Sequence, residues 1–353
     1  MLSSSYGKPM GAAIKWLVKV MLLGSLGHSA LVPAATAQTT IESVRQRGHL
    51  NCGVNSGLAG FSQSDDKGNW RGLDVDYCKA IAAAVLGDHS KVDYVASPRR
   101  ERFESLQSGN VDVLVRNTTW TSARDSSSGL SFVGVNYYDG QGFLVKASRN
   151  VRSARDLNGA TICVSAGTTS ELNLPGYFSA LNMTYKPLTL ETHDETVQAY
   201  LADRCDTFTA DMSSLYGVRV LQARPSDHII LPEVISKEPL GPSVRQGDAQ
   251  WFTIVKWVHF TLINAEELGV TQSNVEQMAS SRDPAVRHLL GKEGQFGSGL
   301  GLANDFAVRV IGAVGNYGEI FERNVGSGSR LKIARGLNNL WNKGGLQYAP
   351  PVR

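Results

Sequence analysis

Residues 117–124, with the sequence NTTWTSAR, carry amide, hydroxyl and guanidinium groups that could bind a small anion. They directly follow a predicted strand over residues 111–115, and ligands of parallel α/β sheets collect beyond the carboxyl ends of the strands. The planar guanidinium of Arg124 favours a carboxylate that it can hold through two hydrogen bonds. A surface arginine in a polar loop is the equally weighted alternative.

A second polar segment, residues 167–171 (GTTSE), follows a predicted strand and begins a predicted helix. Thr168 and Glu171 have the spacing of a capping box, in which each side chain accepts a hydrogen bond from the backbone N–H of the other residue. The remaining N–H groups of this helix start could also receive an anion. Plain capping is the commoner arrangement, and the two interpretations are compatible.

Asp211 follows a predicted strand over residues 207–210 and precedes a helix with an apolar face. By itself it is most simply an N-cap. Considered together with Arg124 and the helix start at residue 168, it completes a different pattern. One cation and one helix start suit a carboxylate, and one carboxylate suits an ammonium. This set describes an α-amino acid in its zwitterionic form.

Two segments of the chain share one order of elements, strand–helix–strand–helix–strand, which is typical of small parallel α/β units. Their third strands follow similar sequences, LQSGNVD at 106–112 and LADRCD at 201–206. Two similar lobes are therefore predicted. The strands are predicted at 49–54, 92–95 and 111–115, then at 161–164, 183–188 and 207–210, and the helices at 74–86, 101–107, 170–181 and 195–202.

The second segment is flanked by two crossings, residues 137–142, which contain glycine, and residues 239–244, which contain glycine and proline. A long helix is predicted over residues 248–268, where apolar side chains recur at helical spacing. The tail, residues 297–353, contains many large apolar side chains. It is expected to form short helices that pack on the first lobe.

The positive charge of the chain lies at its N-terminus. Residues 1–37 hold three lysines and no acidic residue, with an apolar stretch at 16–26 and small residues that end at Ala37. This is the pattern of a signal peptide cleaved after about Ala37. An uncleaved membrane anchor is the alternative, but Lys19 and two glycines keep the apolar run below the ~20 residues that a membrane span needs.

Removal of these 37 residues changes the charge balance. Lys+Arg falls from 35 to 32, which equals the 32 Asp+Glu, so the formal net charge falls from +3 to zero. A balanced chain has no general attraction to nucleic acid or to an anionic membrane surface. Neither is expected as a partner.

The four cysteines, Cys52, Cys78, Cys163 and Cys205, all follow the predicted signal peptide. An exported chain reaches a compartment in which disulfides persist. Four cysteines allow three pairings, among which the sequence alone does not choose, and four buried thiols are the alternative. No C-x-x-C or histidine at ligand spacing points to zinc, so neither a metal nor a cofactor is expected.

Several motifs together resemble those of the bacterial extracellular solute-binding proteins of the polar amino-acid class, family 3. They occur in the family's order: GLDVD at 72–76, LQSGNVD at 106–112, T-x-x-R at 121–124, GTTSE at 167–171 and the aspartate at 211. Two tail segments, VGNYGEIFERN at 314–324 and GGLQYAPP at 344–351, are more specific than these motifs and point to one subgroup of the family. They resemble the general L-amino-acid-binding periplasmic subgroup, which serves ABC importers.

The resemblance implies roles for matching residues. Arg124 would grip the α-carboxylate of the ligand, the backbone of Thr169 would assist at the helix start, and Asp211 would pair with the α-ammonium. Three neighbours complete this part of the candidate site, namely Asn117, Thr119 and Ser170.

Other family positions bear on specificity. Leu58 stands where many relatives stack an aromatic ring on the ligand, and Phe61 where the family packs a residue in the first lobe. Asn55 stands where lysine- and histidine-selective relatives tend to keep an acid, which favours a broad-range pocket. Arg99 falls on the pocket wall and could attract acidic side chains. Because residues 98–102 form a charge run, Arg99 is expected to point to solvent instead.

The resemblance also implies the fold, a two-lobed α/β periplasmic binding protein fold of type II. Each lobe would be a mixed sheet flanked by helices. Residues 38–139 and 243–353 would form lobe 1 with a C-terminal helical tail, and residues 140–242 would form lobe 2. Two hinge strands are expected near 138–143 and 240–244, with the ligand trapped between the lobes on closure.

Within this fold the cysteine pairing can be predicted. A disulfide between the lobes would lock the hinge, whereas disulfides within each lobe leave it free. The prediction is Cys52–Cys78 in lobe 1 and Cys163–Cys205 in lobe 2.

The favoured function is a periplasmic substrate-binding component of an amino-acid ABC importer, expected to be a monomer that docks on a membrane permease. An enzyme is the alternative, because this fold also hosts dehydratases. The chain holds no G-x-S-x-G or H-E-x-x-H motif, which disfavours the hydrolases that use them. A ligand-sensing signalling domain is the third possibility.

Overall fold

The computed structural model describes residues 38–353, whose strands form two five-stranded sheets. The chain begins in the first sheet and its helices. The elements of this part are α1 (Thr40–Arg47), β1 (Leu50–Val54), β2 (Gln63–Ser64), β3 (Trp70–Arg71), α2 (Leu73–Leu86), β4 (Val92–Ala96), α3 (Arg102–Gln107), β5 (Val113–Leu114), α4 (Ser122–Ser127), β6 (Leu130–Phe132) and β7 (Tyr137–Asp139).

The chain then builds the second sheet without interruption. Its elements are β8 (Gln141–Lys146), β9 (Thr161–Ser165), α5 (Thr169–Ala180), β10 (Lys186–Leu190), α6 (His193–Leu201), β11 (Thr207–Asp211), α7 (Met212–Val220) and β12 (His228–Ile230), followed by β13 (Glu238–Leu240).

The last part returns to the first sheet and ends in helices. It comprises β14 (Ser243–Arg245), α8 (Ala249–Glu267), α9 (Val275–Met278), α10 (Pro284–Leu289), α11 (Phe296–Gly299), α12 (Phe306–Val314) and α13 (Tyr317–Asn324). Short 3-10 turns occur at Ala147–Arg149, Ala154–Leu157, Pro225–Asp227, Gly336–Asn338 and Trp341–Lys343.

The two sheets have the same arrangement. The first runs in the order β4-β1-β5-β14-β6 and the second in the order β10-β9-β11-β8-β12. In each, three neighbouring strands are parallel and the other two are antiparallel to their neighbours. The prediction of two similar lobes with mixed sheets is confirmed. We call the parts built on the first and second sheets lobe 1 and lobe 2.

Strands β7 and β13 connect the lobes. They pair with each other in antiparallel fashion, with Tyr137 opposite Leu240, and lie outside both large sheets. The two-strand hinge is thereby confirmed, but its strands lie earlier in the chain than the expected 138–143 and 240–244. Residues beyond the pair already belong to the lobes, because β8 begins at Gln141 and β14 at Ser243.

Most predicted elements agree with the structure to within two residues, but the strand predicted at 183–188 is β10 at Lys186–Leu190. Met183 instead closes α5, since its backbone N–H donates to the carbonyl of Phe178 at 2.9 Å. Asn182, with a φ of 54°, turns the chain there in the left-handed conformation that asparagine tolerates. The strand therefore starts only after this turn.

The C-terminal tail packs on lobe 1, as predicted. Helix α12 lies against α2, and Phe306, Val310 and Val314 of α12 are buried in the same apolar core as Ile81. Beyond α13, Leu331 and Leu340 extend this core. Within residues 38–353, no helix is both long enough and apolar enough to cross a membrane. The predicted signal peptide, residues 1–37, lies outside the described residues.

Both disulfides have the predicted pairing. Cys52 of β1 is bonded to Cys78 of α2, and Cys163 of β9 is bonded to Cys205, which precedes β11. Each bond joins elements of one lobe. None of the four cysteines is free.

Candidate functional site

A cleft between the lobes brings the predicted ligand-binding residues together. It encloses about 570 Å³, including the part open to solvent. All nine candidate residues line it, and they come from the carboxyl ends of strands and from helix starts in both lobes: Asn55, Leu58, Arg99, Asn117, Thr119, Arg124, Thr169, Ser170 and Asp211.

Arg124 lies in the first turn of α4, where the hydroxyl of Thr121 caps the helix by accepting from the Arg124 backbone N–H. Its Nη1 donates to the carbonyl of Thr119 at 2.8 Å, which aims the guanidinium at the cleft. Within residues 38–353, no carboxylate lies within 4.0 Å of it. Burial lowers the pKa of Arg124, because it removes water from around the guanidinium charge.

Helix α5 faces Arg124 from lobe 2. The Thr168 hydroxyl caps the helix by accepting from the Glu171 N–H at 3.1 Å. The carboxylate of Glu171 accepts from the N–H of Gly167 instead of that of Thr168, so the capping box is only half formed. The prediction of the reciprocal bond is therefore wrong, since the donor to Glu171 is one residue earlier than expected. Gly167 has a left-handed φ of 68°, which turns its N–H towards the helix.

Glu238 of the hinge strand β13 connects the two lobes at this point. One of its carboxylate oxygens accepts from the Thr119 hydroxyl at 2.7 Å and from the Thr169 hydroxyl at 2.8 Å. Its other oxygen accepts from Asn173 and Ser236. This buried residue was missed in the sequence, where the glutamate of the SKEPLGPS segment has no motif to mark it.

Asp211 ends β11 on the lobe 2 side of the cleft. Asp211 occupies the N-cap position of α7, as predicted, but its carboxylate makes no capping bond to the helix. The carboxylate of Asp139 takes that place, accepting from the backbone N–H of Ser213. Burial raises the pKa of Asp211 well above its usual range, and the negative charges of Asp139 and Glu238 raise it further. A cationic group in the cleft would compensate the buried negative charge of Asp211.

The remaining predicted residues form the lobe 1 wall. Asn55 donates to the side-chain carbonyl of Asn117 at 3.0 Å, and the backbone N–H of Asn117 donates to Asp74. Leu58 is almost fully buried beneath them, and Phe61 is fully buried in the lobe 1 core, as its family position implies. The wall beside the ligand space is therefore polar, with a single aliphatic side chain.

Arg99 does not point to solvent, and that expectation is wrong. Its guanidinium lines the cleft and reaches across it to the Nδ1 of His193 in lobe 2, at 3.4 Å. The neighbouring Arg100 is the solvent-exposed member of the charge run and pairs with Glu191 at 2.8 Å. The run therefore divides, with one arginine inside the cleft and one at its rim.

Two more arginines and a histidine line the same cleft and were not predicted. They are Arg102 at the start of α3, Arg116 after β5 and His193 at the start of α6. Arg102 and Arg116 are about 95% buried, with relative exposures of 4% and 5%. Their positions in a charge run and after a strand resemble surface positions, so local pattern gave no signal. In the part of the chain that the structure describes, no group of acidic, histidine or cysteine side chains could hold a metal ion.

Comparison with known proteins agrees with this geometry. Residues 50–274 match the family model described as bacterial extracellular solute-binding proteins, family 3. The chain belongs to this family. The similarity extends to the tail: the chain is 56% identical over 337 residues to the general L-amino acid-binding periplasmic protein AapJ of Rhizobium johnstonii, covering 94% of this chain and 99% of AapJ.

Other members of the family are similarly close. The glutamate/glutamine/aspartate/asparagine-binding protein BztA of Rhodobacter capsulatus is 52% identical over 336 residues, covering 95% of this chain and 99% of BztA. Among solved structures, an ABC transporter periplasmic binding protein from Brucella ovis with glutathione bound is 56% identical. It superposes with a TM-score of 0.88 over 90% of this chain and 100% of its own.

Proposed function

We propose that this protein is the periplasmic substrate-binding component of an ABC importer, and that it binds L-amino acids of a broad range between its two lobes. The observation that carries the proposal is the position of Arg124 and Asp211. They line one cleft from opposite lobes, and neither is neutralised by a direct ion pair within residues 38–353.

The α-carboxylate of the ligand is assigned to Arg124. The Nη1 of this residue is already held by the Thr119 carbonyl, so its remaining N–H groups can form two parallel bonds to a carboxylate. The N-terminus of α5 opens into the same cleft, with Thr169 and Ser170 at its first two positions. Its free N–H groups and dipole would stabilise the same negative charge.

The α-ammonium is assigned to Asp211. Binding a cation lowers the pKa of a buried carboxyl group, because it compensates both the lost hydration and the repulsion from other carboxylates. Asp211 is buried and lies near Asp139 and Glu238, so a bound ammonium would compensate both its lost hydration and its repulsion from these carboxylates. A zwitterion therefore satisfies the cation and the anion of the cleft together.

Binding would be coupled to rotation of the lobes about β7 and β13. We assign residues 38–139 and 243–353 to one moving body and residues 140–242 to the other. Contacts between them, such as Arg100–Glu191 and Thr119–Thr169, would break on opening. Because a ligand held by both lobes binds the closed form better, it shifts the population towards closure.

The partners follow from this role. A membrane permease would receive the closed, loaded protein, and the predicted signal peptide would deliver the chain to the periplasm as a monomer. A mature chain with no net charge is poorly suited to nucleic acid. We assign no catalytic activity, because relatives that align over nearly the whole chain are named as binding proteins. A precursor of cyclohexadienyl dehydratase is only 26% identical, with a TM-score of 0.55 over 68% of this chain.

Glutathione is a second candidate ligand, favoured by an outer chamber of the cleft. This chamber encloses about 1110 Å³, including open solvent, and shares Asn55, Arg99, Arg116 and His193 with the inner cleft. A glutamyl group in the inner cleft could extend the rest of a small peptide into it. The Brucella ovis relative carries glutathione.

The test is calorimetry with the twenty L-amino acids and glutathione. The mature protein is first unfolded to remove any retained ligand and is then refolded. We expect several amino acids to bind with micromolar or tighter affinity, about 8 kcal/mol or more. The D-enantiomers provide the control, since three-point recognition of the α-carbon should reject them. No heat with any L-amino acid would overturn the proposal.

A further inference from the structure

The C-terminal tail contacts lobe 2 as well as lobe 1. After α13 the chain forms a short loop, residues 326–332 (GSGSRLK), which we call the tail loop. From this loop the Nη2 of Arg330 donates to the backbone carbonyl of Val220 in lobe 2, at 3.2 Å. Within residues 38–353, this is the only hydrogen bond or ion pair between residues 325–353 and lobe 2. Arg330 therefore bridges the two lobes outside the residues that line the ligand cleft.

The acceptor is the carbonyl of the last residue of α7. The final carbonyls of a helix have no partner within the helix and are satisfied from outside it. Here the Val218 carbonyl accepts from the side chain of Gln222 at 2.8 Å, and the Arg219 carbonyl accepts from backbone N–H groups that follow the helix. The Val220 carbonyl accepts from the guanidinium of the other lobe. The helix dipole also favours a cation at this end.

The same helix carries Asp211 at its other end. Asp211 is the N-cap of α7 and lines the cleft, and about 13 Å of helix separates it from Val220. In the middle of the helix, Gly217 packs on lobe 1, since a Cβ placed on it would lie 3.4 Å from the Cβ of Ala59. A bond at the C-terminus of α7 therefore fixes the direction of the helix that presents Asp211 to the ligand.

The tail loop is fixed to lobe 1 on both sides of Arg330. The hydroxyl of Ser329 donates to the Gly326 carbonyl at 2.9 Å and accepts from the Leu331 backbone N–H at 3.1 Å. The side chain of Leu331 is buried in the lobe 1 core. Because the backbone of the loop is already ordered, forming the bond to α7 costs little conformational entropy beyond that of the arginine side chain.

Further along the chain, the tail is fastened to the hinge strand β7. The side-chain amide of the buried Asn338 accepts from the Tyr138 backbone N–H at 2.7 Å and donates to the Tyr138 carbonyl at 3.0 Å. Arg335 forms a largely buried ion pair with Glu266 of α8 at 3.0 Å. The tail therefore moves with lobe 1 when the lobes rotate, whereas α7 moves with lobe 2. The bond between Arg330 and α7 must break on opening.

The bond crosses a gap between the lobes. Two grooves of about 920 Å³ and 780 Å³, including open solvent, lie there, and Val220, Arg330 and Leu331 line both. Because Arg330 is exposed, water screens its charge, and the bond contributes about as much as a hydrogen bond between neutral groups. Its effect on closure is therefore modest, but it acts on the closed form alone.

We propose that Arg330 is a positioning residue for ligand binding, which stabilises the closed form by holding the C-terminus of α7. This inference rests on the proposed function, because it requires a ligand that is enclosed between the lobes. A contact made only in the closed form lowers the apparent Kd of every ligand by the same factor. A side chain that touches the ligand would instead change the order of ligand preference.

The experiment combines calorimetry and stopped-flow fluorescence of ligand-stripped mature protein with three chemically different L-amino acids that the wild type binds. In Arg330→Met, the Kd of each should rise by one common factor of about 3 to 10. The rise should come from faster dissociation, because a ligand enters the open form and leaves only after the lobes reopen. Arg330→Lys keeps a cation and should lose less affinity. The control is Arg282→Met, at an exposed position outside the tail loop, which should bind as the wild type does.

The outcomes separate this inference from the proposed function. Unchanged Kd values in Arg330→Met would overturn the positioning role and leave amino-acid binding standing. A changed order of ligand preference would also overturn it, since Arg330 would then act at the ligand. The ligand-free variant should unfold at the wild-type temperature, and a large decrease would refute the inference by giving Arg330 a purely structural role. Absence of binding of every L-amino acid to the wild type would overturn the proposed function and this inference with it.

Discussion

The hydroxyl groups of Thr119 and Thr169 lie 3.4 Å apart, although the two residues belong to different lobes. Both donate to the same carboxylate oxygen of Glu238 in the hinge. Hinge and ligand site are therefore one hydrogen-bonded unit. Opening the lobes must separate the two hydroxyls, and at most one of them can remain on Glu238 without a rearrangement of its partners.

Glu238→Gln is expected to destabilise the protein by about 1–3 kcal/mol, because the site contains four donors and the glutamine amide nitrogen accepts none. The Asn173 amide in particular donates to the second oxygen at 2.9 Å. Urea unfolding of the ligand-free protein measures the effect. The exposed Glu276→Gln serves as the control and should change stability by less than about 0.5 kcal/mol. Equal stability of the two variants would contradict this prediction.

Arg124→Met should weaken amino-acid binding at least about 100-fold, because the ligand carboxylate would be buried without its charge partner. Methionine keeps an apolar stem against Phe103, whose ring lies 5.6 Å from the guanidinium carbon. Calorimetry with the tightest ligand of the wild-type panel checks this result. Arg282→Met, far from the cleft, controls for loss of a positive charge. Undiminished binding by Arg124→Met would refute the assignment of the α-carboxylate.

Asp211→Asn is expected to have opposite effects on affinity and on stability. It removes the partner of the α-ammonium and so weakens binding, but it also removes a buried negative charge beside Asp139 and Glu238. Because the folded-state pKa of Asp211 is raised above its unfolded value, wild-type stability falls as pH rises above about 3.8 towards the folded pKa. Asp211→Asn should not show this fall in stability with rising pH, because its side chain does not ionise.

Thermal unfolding of both proteins without ligand, from pH 4 to pH 8, tests this prediction. The difference in stability in favour of Asp211→Asn should grow with pH. Ser214→Ala, which changes another cleft-lining residue without changing charge, provides the control. A variant that is less stable than the wild type at pH 8 would contradict the account of Asp211.

Replacing both Cys163 and Cys205 with serine should lower stability by about 4 kcal/mol, since the disulfide closes a loop with a sequence separation of 42 residues. Replacement of Cys52 and Cys78, with a separation of 26, should cost slightly less. Urea unfolding under oxidising conditions compares the two double variants. The wild type treated with reductant loses both bonds and should be less stable than either double variant. Unchanged stability of both would show that the bonds are dispensable.

His259 should make stability depend on pH in the acid range. It is buried in lobe 1 with its Nδ1 3.1 Å from the Tyr77 hydroxyl, and burial lowers its pKa from 6.5 to about 4. Between these values the unfolded chain binds a proton that the folded protein does not. Stability is therefore lost as pH falls from 6.5 to 4, by about 3 kcal/mol in total.

His259→Gln should flatten this part of the pH profile even if it lowers stability overall, and urea unfolding at half-unit pH intervals measures the slope. The exposed His89→Gln is the control and should keep the wild-type slope. An identical slope in His259→Gln would assign the acid sensitivity to other groups.

The order of the elements and the main chemistry of the site could be predicted from local sequence patterns. Alternation of apolar strands and amphipathic helices is local, so both α/β units and the long helix α8 could be predicted. Arg124, Thr169 and Asp211 could be found because each follows a strand end or begins a helix, where local pattern and family motif coincide. The pairing of the cysteines followed once the lobes were assigned.

Which charged side chains share the cleft could not be predicted, because it depends on how distant parts of the chain pack together. Arg99, Arg102 and Arg116 look like surface arginines in the sequence, and Glu238 lies more than 100 residues from Thr119. Their burial results from packing of the two lobes against the hinge, which no local periodicity records. Because the free energy of a charge depends on the groups around it and not on its neighbours in the chain, the direction of Arg99 was predicted wrongly. For the same reason, the cleft's excess of positive charge became visible only in the folded protein.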